Sequence, residues 1–290
     1  MSEVLTQLLA AFPRPHAAAG SDYLTVLVAK DAVNKVFTRR GNGAIDKASG
    51  RPISEAVAIT VHVSDMATME KVQRLVSKSP NAVLLHGFFP GTEDGRPFTV
   101  LSRGRMAEEL GLPTTQGRDG SRQPRPEDLD RIDQLHDIDG RIVTVRSAKT
   151  TAPSSWLMLD RDVKDDTPAE LRRIIQNDDE WFAAMEKVLP GIGTAGSITV
   201  PSATGRVVVD GKPLAAAGRH TWIQIAPGFK DRDQLQSFGN QLFLAAFAKG
   251  YGYVTRSAAG VALPRTIFDQ ATFASERLVY DGAPVVRAEE

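Results

Sequence analysis

Two aspartates in the second half of the chain are spaced to bind a divalent metal ion together. Asp160 and Asp162 follow the apolar run Trp156–Leu159. The period-two geometry of a strand places both carboxylates on one face and Arg161 on the other. Carboxylates so near each other repel. Mg²⁺ or Mn²⁺, which prefer hard oxygen ligands, relieve this repulsion when they bind between them. The alternative is an acidic turn after a strand, because more aspartates follow.

Asp269 is a third candidate metal ligand, in the segment Ile267-Phe268-Asp269 near the end of the chain. A single aspartate after a strand is usually a turn or cap residue. The order of predicted elements, however, lets the first and last strands of the second half lie close together. Asp269 would then lie beside Asp160 and Asp162.

His220 opens a strand that also carries Trp222 on the same face. A histidine there is most often a hydrogen-bonded surface residue. Its basic neighbours Arg219 and Lys212 instead fit an anionic ligand such as a triphosphate. Ser202, earlier in the chain, offers a hydroxyl and backbone donors to the same ligand.

The surrounding pattern predicts an α+β fold. Helices are expected from Asp65 as N-cap, over Thr167–Val188 and over Asp231–Lys249, and Gly111–Pro126 is predicted to be a flexible connection or a mobile loop. In the second half the order is strand, helix, strand, strand, helix, strand. This order is typical of the RRM-like, split βαβ arrangement, an antiparallel sheet with helices on one face. The predicted strands are Tyr23–Ala29, Ala56–Val63, Ala82–Leu85, Trp156–Asp160, Ser197–Pro201, Arg206–Val209, His220–Ala226 and one or two within Tyr253–Phe268.

Composition excludes several classes of protein. The 290 residues contain no cysteine, which rules out disulfides, iron–sulfur clusters and cysteine nucleophiles. The N-terminus does not resemble a signal peptide, and no apolar run is long enough to span a membrane, so we expect a soluble, cytoplasmic protein without a membrane partner. The net charge is zero but uneven: residues 151–186 hold nine acidic and four basic residues, whereas residues 20–51 hold six basic and three acidic.

Three segments in this order resemble the motifs of the archaeo-eukaryotic primase superfamily. They are LDRD at 159–162, SATGRVVVDGKPLAAAGRH at 202–220 and IFD at 267–269. The closing stretch SAAGVALPRTIFDQATFASERLVYDGAP is similar to the end of primase-polymerase domains in plasmid, phage and integrated-element replication proteins. The resemblance covers about Ser155 to Val286. It implies an N-terminal αβ unit at 1–150 and an RRM-like catalytic unit at 151–290.

The resemblance also implies an activity and a set of roles. Asp160, Asp162 and Asp269 would hold Mg²⁺ or Mn²⁺, and His220 would contact the phosphates of the incoming nucleotide. It leaves open which of Ser202, Lys212 and Arg219 contacts that nucleotide. The expected reaction is nucleotidyl transfer by a DNA-directed primase-polymerase. The expected partners are nucleoside triphosphates, a single-stranded DNA template with its primer, and a helicase domain of a longer protein.

Two other functions fit parts of the pattern. A two-metal nuclease could use the same carboxylates. A non-catalytic nucleic-acid-binding replication module is the other alternative. A rolling-circle initiator needs a His-apolar-His pair, which His62-Val63-Ser64 does not supply. The chain has no G-x-x-x-x-G-K-[ST] motif, so it carries no P-loop ATPase.

Overall fold

The chain is described by a computed structural model over residues 3–12, 22–48, 50–117, 120–209, 212–213, 218–257 and 259–288. The helices are α1 Glu3–Ala11, α2 Met66–Val76, α3 Arg103–Glu109, α4 Leu129–Ile132, α5 Ala169–Gln176, α6 Asp178–Val188 and α7 Arg232–Ala248. The strands are β1 Tyr23–Ala29, β2 Val36–Arg39, β3 Ile45–Ala48, β4 Glu55–His62, β5 Ala82–Leu85, β6 Gly87–Phe88, β7 Phe98–Leu101, β8 Thr114–Gln116, β9 Arg122–Pro124, β10 His136–Ile138, β11 Arg141–Val145, β12 Ala152–Pro153, β13 Trp156–Arg161, β14 Ser197–Pro201, β15 Val208–Val209, β16 Lys212–Pro213, β17 Arg219–Gln224, β18 Gly252–Arg256, β19 Ala262–Thr266, β20 Leu278–Val279 and β21 Val285–Ala288.

A large mixed sheet organises the first half of the chain. Its strand order is β10-β11-β7-β4-β1-β5-β20. β1 lies in its interior, and every residue of Tyr23–Ala29 is buried, as expected for an apolar strand covered on both faces. α2 packs its apolar stripe on one of these faces, and Asp65 caps it by accepting a hydrogen bond from the Thr68 N–H at 2.8 Å. This N-cap was predicted from the sequence.

The small sheet of the second half has the order β13-β17-β14 and is antiparallel. Leu157 and Leu159 point to one face, where they pack with α5, α6 and α7. Trp156 and Met158 alternate to the other face, where they pack against Leu24 and other side chains of the large sheet. One hydrophobic cluster therefore joins the two halves, and the α+β class is confirmed.

The chain returns to its first half near the end. β20 pairs with β5 in the large sheet, and β21 pairs in parallel with β2. The strands β3, β2 and β21 form what we call the edge sheet. No helix in the described part of the chain is both long and apolar enough to cross a membrane.

The structure differs from the local predictions in three places. The helix expected over Thr167–Val188 is two helices, because Asn177 is extended and its side chain caps α6 by accepting from the Glu180 N–H. The Gly111–Pro126 stretch holds the β8–β9 hairpin, which packs on α3. The strands predicted within Tyr253–Phe268 are present as β18 and β19, but they pair with each other rather than extending the small sheet.

The imidazole of His86 connects β13 to the segment after Asp269. Its Nε2 accepts a hydrogen bond from the Met158 N–H at 2.9 Å, so Nδ1 carries the proton and donates to the Thr272 carbonyl at 2.7 Å. His86 is 1% exposed. A buried, neutral ring therefore fixes the two segments that carry Asp160 and Asp269.

This histidine predicts a measurable pH dependence of stability. Burial lowers the pKa of His86 from 6.5 to about 4, so between these values the unfolded chain binds more protons than the folded one. Acidification from pH 7 to 4 should cost about 3 kcal/mol of unfolding free energy through this residue. We expect His86→Gln to show a shallower pH dependence in urea unfolding, with His62→Gln as control. The same slope in all three proteins would contradict the assignment.

Candidate active site

Asp160 and His220 lie directly opposite each other on β13 and β17. Their side chains share the face of Met158 and Trp222, whereas Arg161 and Arg219 form the next pair on the other face. The Asp160 Oδ1 lies 3.6 Å from His220 Nε2. The predicted separation of Asp160 from Arg161 is therefore confirmed.

Asp162, just beyond β13, lies beside the strand end that carries Ser202. A Cβ placed on Gly218 would lie 2.9 Å from Ser202 Oγ and 3.5 Å from Asp162 Oδ1. A side chain at 218 would therefore have to displace the Ser202 hydroxyl. The backbone bond from the Ser202 N–H to the Gly218 carbonyl, 2.8 Å, fixes this approach. Lys164 also pairs with Asp162.

Asp269 reaches the same region through its backbone. Its N–H donates to the Asp160 carbonyl at 2.9 Å, and its side chain accepts from the Ala271 N–H at 3.0 Å. The expected fourth strand is absent from the ladder of the small sheet, yet Asp269 lies next to Asp160 as expected. We call Asp160, Asp162 and Asp269 the aspartate cluster.

Within the aspartate cluster, the ionised form of Asp160 is disfavoured. Burial raises the pKa of Asp160, and the charges of Asp162 and Asp269 raise it further, against the opposing effects of His220 and Lys35. Among the described residues, no group of three or more histidine or acidic side chains already has metal-ligating geometry. The donor set nevertheless suits a hard divalent cation, because all three candidate ligands are carboxylates that repel one another.

Lys35 is a cation of the first half that lies close to this cluster. It is half-buried just before β2, and its carbonyl accepts from the Val285 N–H of β21 at 3.0 Å. Burial and the neighbouring Lys47 lower the pKa of Lys35, while Asp162 and Asp160 oppose that shift. The edge sheet therefore brings positive charge to the carboxylates.

His220 is held from behind by the carboxylate of Asp281. The distance from His220 Nδ1 to Asp281 Oδ1 is 2.5 Å, and Asp281 is completely buried. Burial opposes the charged form of His220, but Asp281 and Asp160 outweigh it and raise its pKa. In turn, burial alone would raise the pKa of Asp281, yet His220 and other donors lower it.

One predicted nucleotide contact, Arg219, is not brought to this face. Arg219 points to the helix side of the small sheet and pairs with Asp178, which also pairs with the buried Arg161 at 2.6 Å. Arg161 further stacks on Trp181 at 4.5 Å and donates to the Ile175 carbonyl. These contacts give Arg219 a structural partner. Lys212 lies in β16, but its side chain is outside the described residues, as is the predicted Asp210-Gly211 turn.

A groove of about 580 Å³ opens beside Asp269, between α7 and β19. Its polar lining includes Gln236, Asn240, Arg265 and Gln270. The Nε of Arg265, a residue of this lining, is buried and has no hydrogen-bond partner among the described residues. The groove has the volume of a small-molecule site.

Sequence reasoning missed Lys35, His86 and Asp281. Lys35 and Asp281 are more than one hundred residues from Asp160 along the chain and reach it through the edge sheet and the segment after β20. No local spacing links them to His220 or Asp160. The Asp-Gly pair at 281–282 read only as part of the closing stretch that carried the family resemblance.

Removing one charge from the aspartate cluster should stabilise the metal-free chain. Because the pKa of Asp160 is raised, its ionised form is disfavoured in the folded state at neutral pH. We expect Asp160→Asn to raise the melting temperature by about 2 °C or more in a chelating buffer. Mg²⁺ or Mn²⁺ should stabilise the wild type more than this variant. Asp165→Asn, on the exposed turn that follows, is the control, and a lower melting temperature for Asp160→Asn would contradict the prediction.

No family model, curated protein or solved structure matches this chain.

Proposed function

We propose that the chain is the primase-polymerase domain of a replication protein of the archaeo-eukaryotic primase superfamily. The observation that carries this proposal is the aspartate cluster, in which Asp160 shares a face with His220 and the carboxylates of Asp160 and Asp162 lie close to Lys35. Carboxylates for metal ions beside groups for phosphates are what nucleotidyl transfer requires. The strand order β13-β17-β14, with α5, α6 and α7 on one face, also fits a split βαβ catalytic sheet.

Asp160, Asp162 and Asp269 would hold Mg²⁺ or Mn²⁺. Ions bound there would supply the positive charge that activates a 3′-hydroxyl and neutralises a leaving pyrophosphate. The chain's own residues do the positioning. His220 presents Nε2 toward Asp160, Ser202 lies beside Asp162, and Lys35 adds a cation for triphosphate oxygens. The groove beside Asp269 offers space for a strand of DNA whose 3′ end must reach the cluster.

Lys35 replaces Arg219 in this proposal as the basic contact to the nucleotide. Arg219 lies on the opposite face of the small sheet and is paired with Asp178. A basic group beside the carboxylates favours a triphosphate ligand, which the alternative two-metal nuclease does not need.

The aspartate cluster can be tested by a double variant. Asp160→Asn with Asp162→Asn removes two of the three candidate metal ligands, so template-dependent nucleotide incorporation should fall by about 10³-fold or more. Primer extension with Mg²⁺ and with Mn²⁺ measures this, and Asp165→Asn is the matched control. Unchanged synthesis by the double variant would refute the proposal. Metal-dependent cleavage of the template without nucleotides would favour the nuclease instead.

The contribution of Lys35 can be tested separately. If its ammonium binds triphosphate oxygens, Lys35→Ala should raise the KM for the nucleotide about 10-fold, the usual effect of losing a charged hydrogen bond. The affinity for the DNA template should change little. Lys30→Ala, on the exposed turn after β1, is the control. Equal KM values for Lys35→Ala, Lys30→Ala and the wild type would exclude this contact.

A further inference from the structure

The carboxylate of Asp281 is a buried acceptor on which donors from two elements converge. Its Oδ1 accepts a hydrogen bond from His220 Nδ1 at 2.5 Å. Its Oδ2 accepts hydrogen bonds from Trp222 Nε1 at 3.1 Å and from Gln73 Nε2 at 2.9 Å. Gln73 is on α2, and the other two donors are on β17. The side chain of Asp281 has no exposed surface.

The backbone around Asp281 is also held firmly. The Asp281 N–H donates to the Val279 carbonyl at 3.1 Å, and the Ala283 N–H donates to the Ser79 carbonyl at 3.1 Å. A Cβ on Gly282 would lie 2.2 Å from Asn34 Nδ2 and 2.5 Å from the Ser79 carbonyl oxygen. The segment that carries Asp281 is therefore packed tightly against the first half.

We propose that Asp281 is a positioning residue that fixes the imidazole of His220, so that Nε2 faces the triphosphate of the incoming nucleotide. This inference rests on the proposed function of the aspartate cluster. An ionised carboxylate only accepts hydrogen bonds, so Nδ1 of His220 must carry a proton and donate a hydrogen bond to Asp281. Nε2 is then the ring nitrogen that faces Asp160, at 3.6 Å. A ring flip would exchange this bond for a C–H contact with a buried anion.

The negative charge of Asp281 chiefly strengthens its contact with His220. Burying a carboxylate is costly, and a neutral acceptor would serve Trp222 and Gln73 as well. The contact with His220 is the short one and joins two groups that can carry opposite charges. Histidines that bind ligands or metals are commonly oriented in this way by a buried carboxylate on the second nitrogen.

The experiment compares two substitutions around the same carboxylate. Asp281→Asn keeps the shape, but its single carbonyl oxygen cannot accept from His220 and from Trp222 together. Gln73→Leu removes a donor to Oδ2 and leaves the bond to His220 intact. The binding of a non-hydrolysable deoxynucleoside triphosphate is measured with Mg²⁺ for both variants and for the wild type.

We expect Asp281→Asn to raise the Kd for the triphosphate about 10-fold, as when the partner that orients a metal-binding histidine is removed. In primer extension its nucleotide KM should rise more than its kcat falls. Gln73→Leu should lose stability but keep the wild-type Kd. A purely structural role would instead change Kd in neither variant, or in both in proportion to lost stability, and either result would overturn the inference.

A measurement on the wild type covers the case in which Asp281→Asn does not fold. In protein with ¹⁵N-labelled histidine, the signals of His220, assigned with His220→Gln, should show a protonated Nδ1. The Nε2 signal should shift when the triphosphate is added. If the triphosphate binds but the Nε2 signal does not move, the positioning role of Asp281 is overturned and the proposed function still stands. Failure of the wild type to bind the triphosphate at all would overturn the proposed function as well.

Discussion

The fold depends on burying one face of the small sheet against the large sheet. Trp156, Met158 and Trp222 lie in one apolar cluster with Leu24 and Val26 of β1, and both tryptophans are completely buried. Aromatic side chains of this size contribute much of the free energy of packing. The same face of the small sheet continues past this apolar cluster to Asp160 and His220. Hydrophobic burial therefore fixes the polar residues at the strand ends relative to the first half of the chain.

The polar groups at that end of the face hold like charges close together. Carboxylates of the aspartate cluster raise the pKa of Asp160, and Lys35 and Lys47 lie close enough for Lys47 to lower the pKa of Lys35. Like charges held together cost free energy that a bound ion or phosphate recovers. The zero net charge of the chain thus conceals an acidic centre beside a basic edge sheet. Overall neutrality is no argument against a polyanionic partner.

Local patterns predicted the parts of the molecule that local physics determines. Apolar alternation placed Asp160 and Arg161 on opposite faces, and the aspartate before α2 was recognised as its cap. The break at Asn177 was missed because a cap inside an amphipathic run does not interrupt its apolar periodicity. The pairing of His220 with Asp281 could not be predicted, since it joins elements that meet only after both sheets have formed. The position of Asp269 was predicted correctly, although the fourth strand on which that prediction relied does not join the small sheet.

The register of β13 against β17 determines which side chains face each other in the candidate active site. Asp160 faces His220 because Trp156 is paired with Gln224 four residues earlier, so the backbone ladder determines the separation of these side chains. A slip of one residue would turn every side chain of β13 to the opposite face, which would bring Arg161 beside His220 and place Asp160 among the apolar residues of α5, α6 and α7. Strand pairing therefore determines the geometry of the site. Substitutions on the exposed surface can change the charge near the site without changing the distances between its residues.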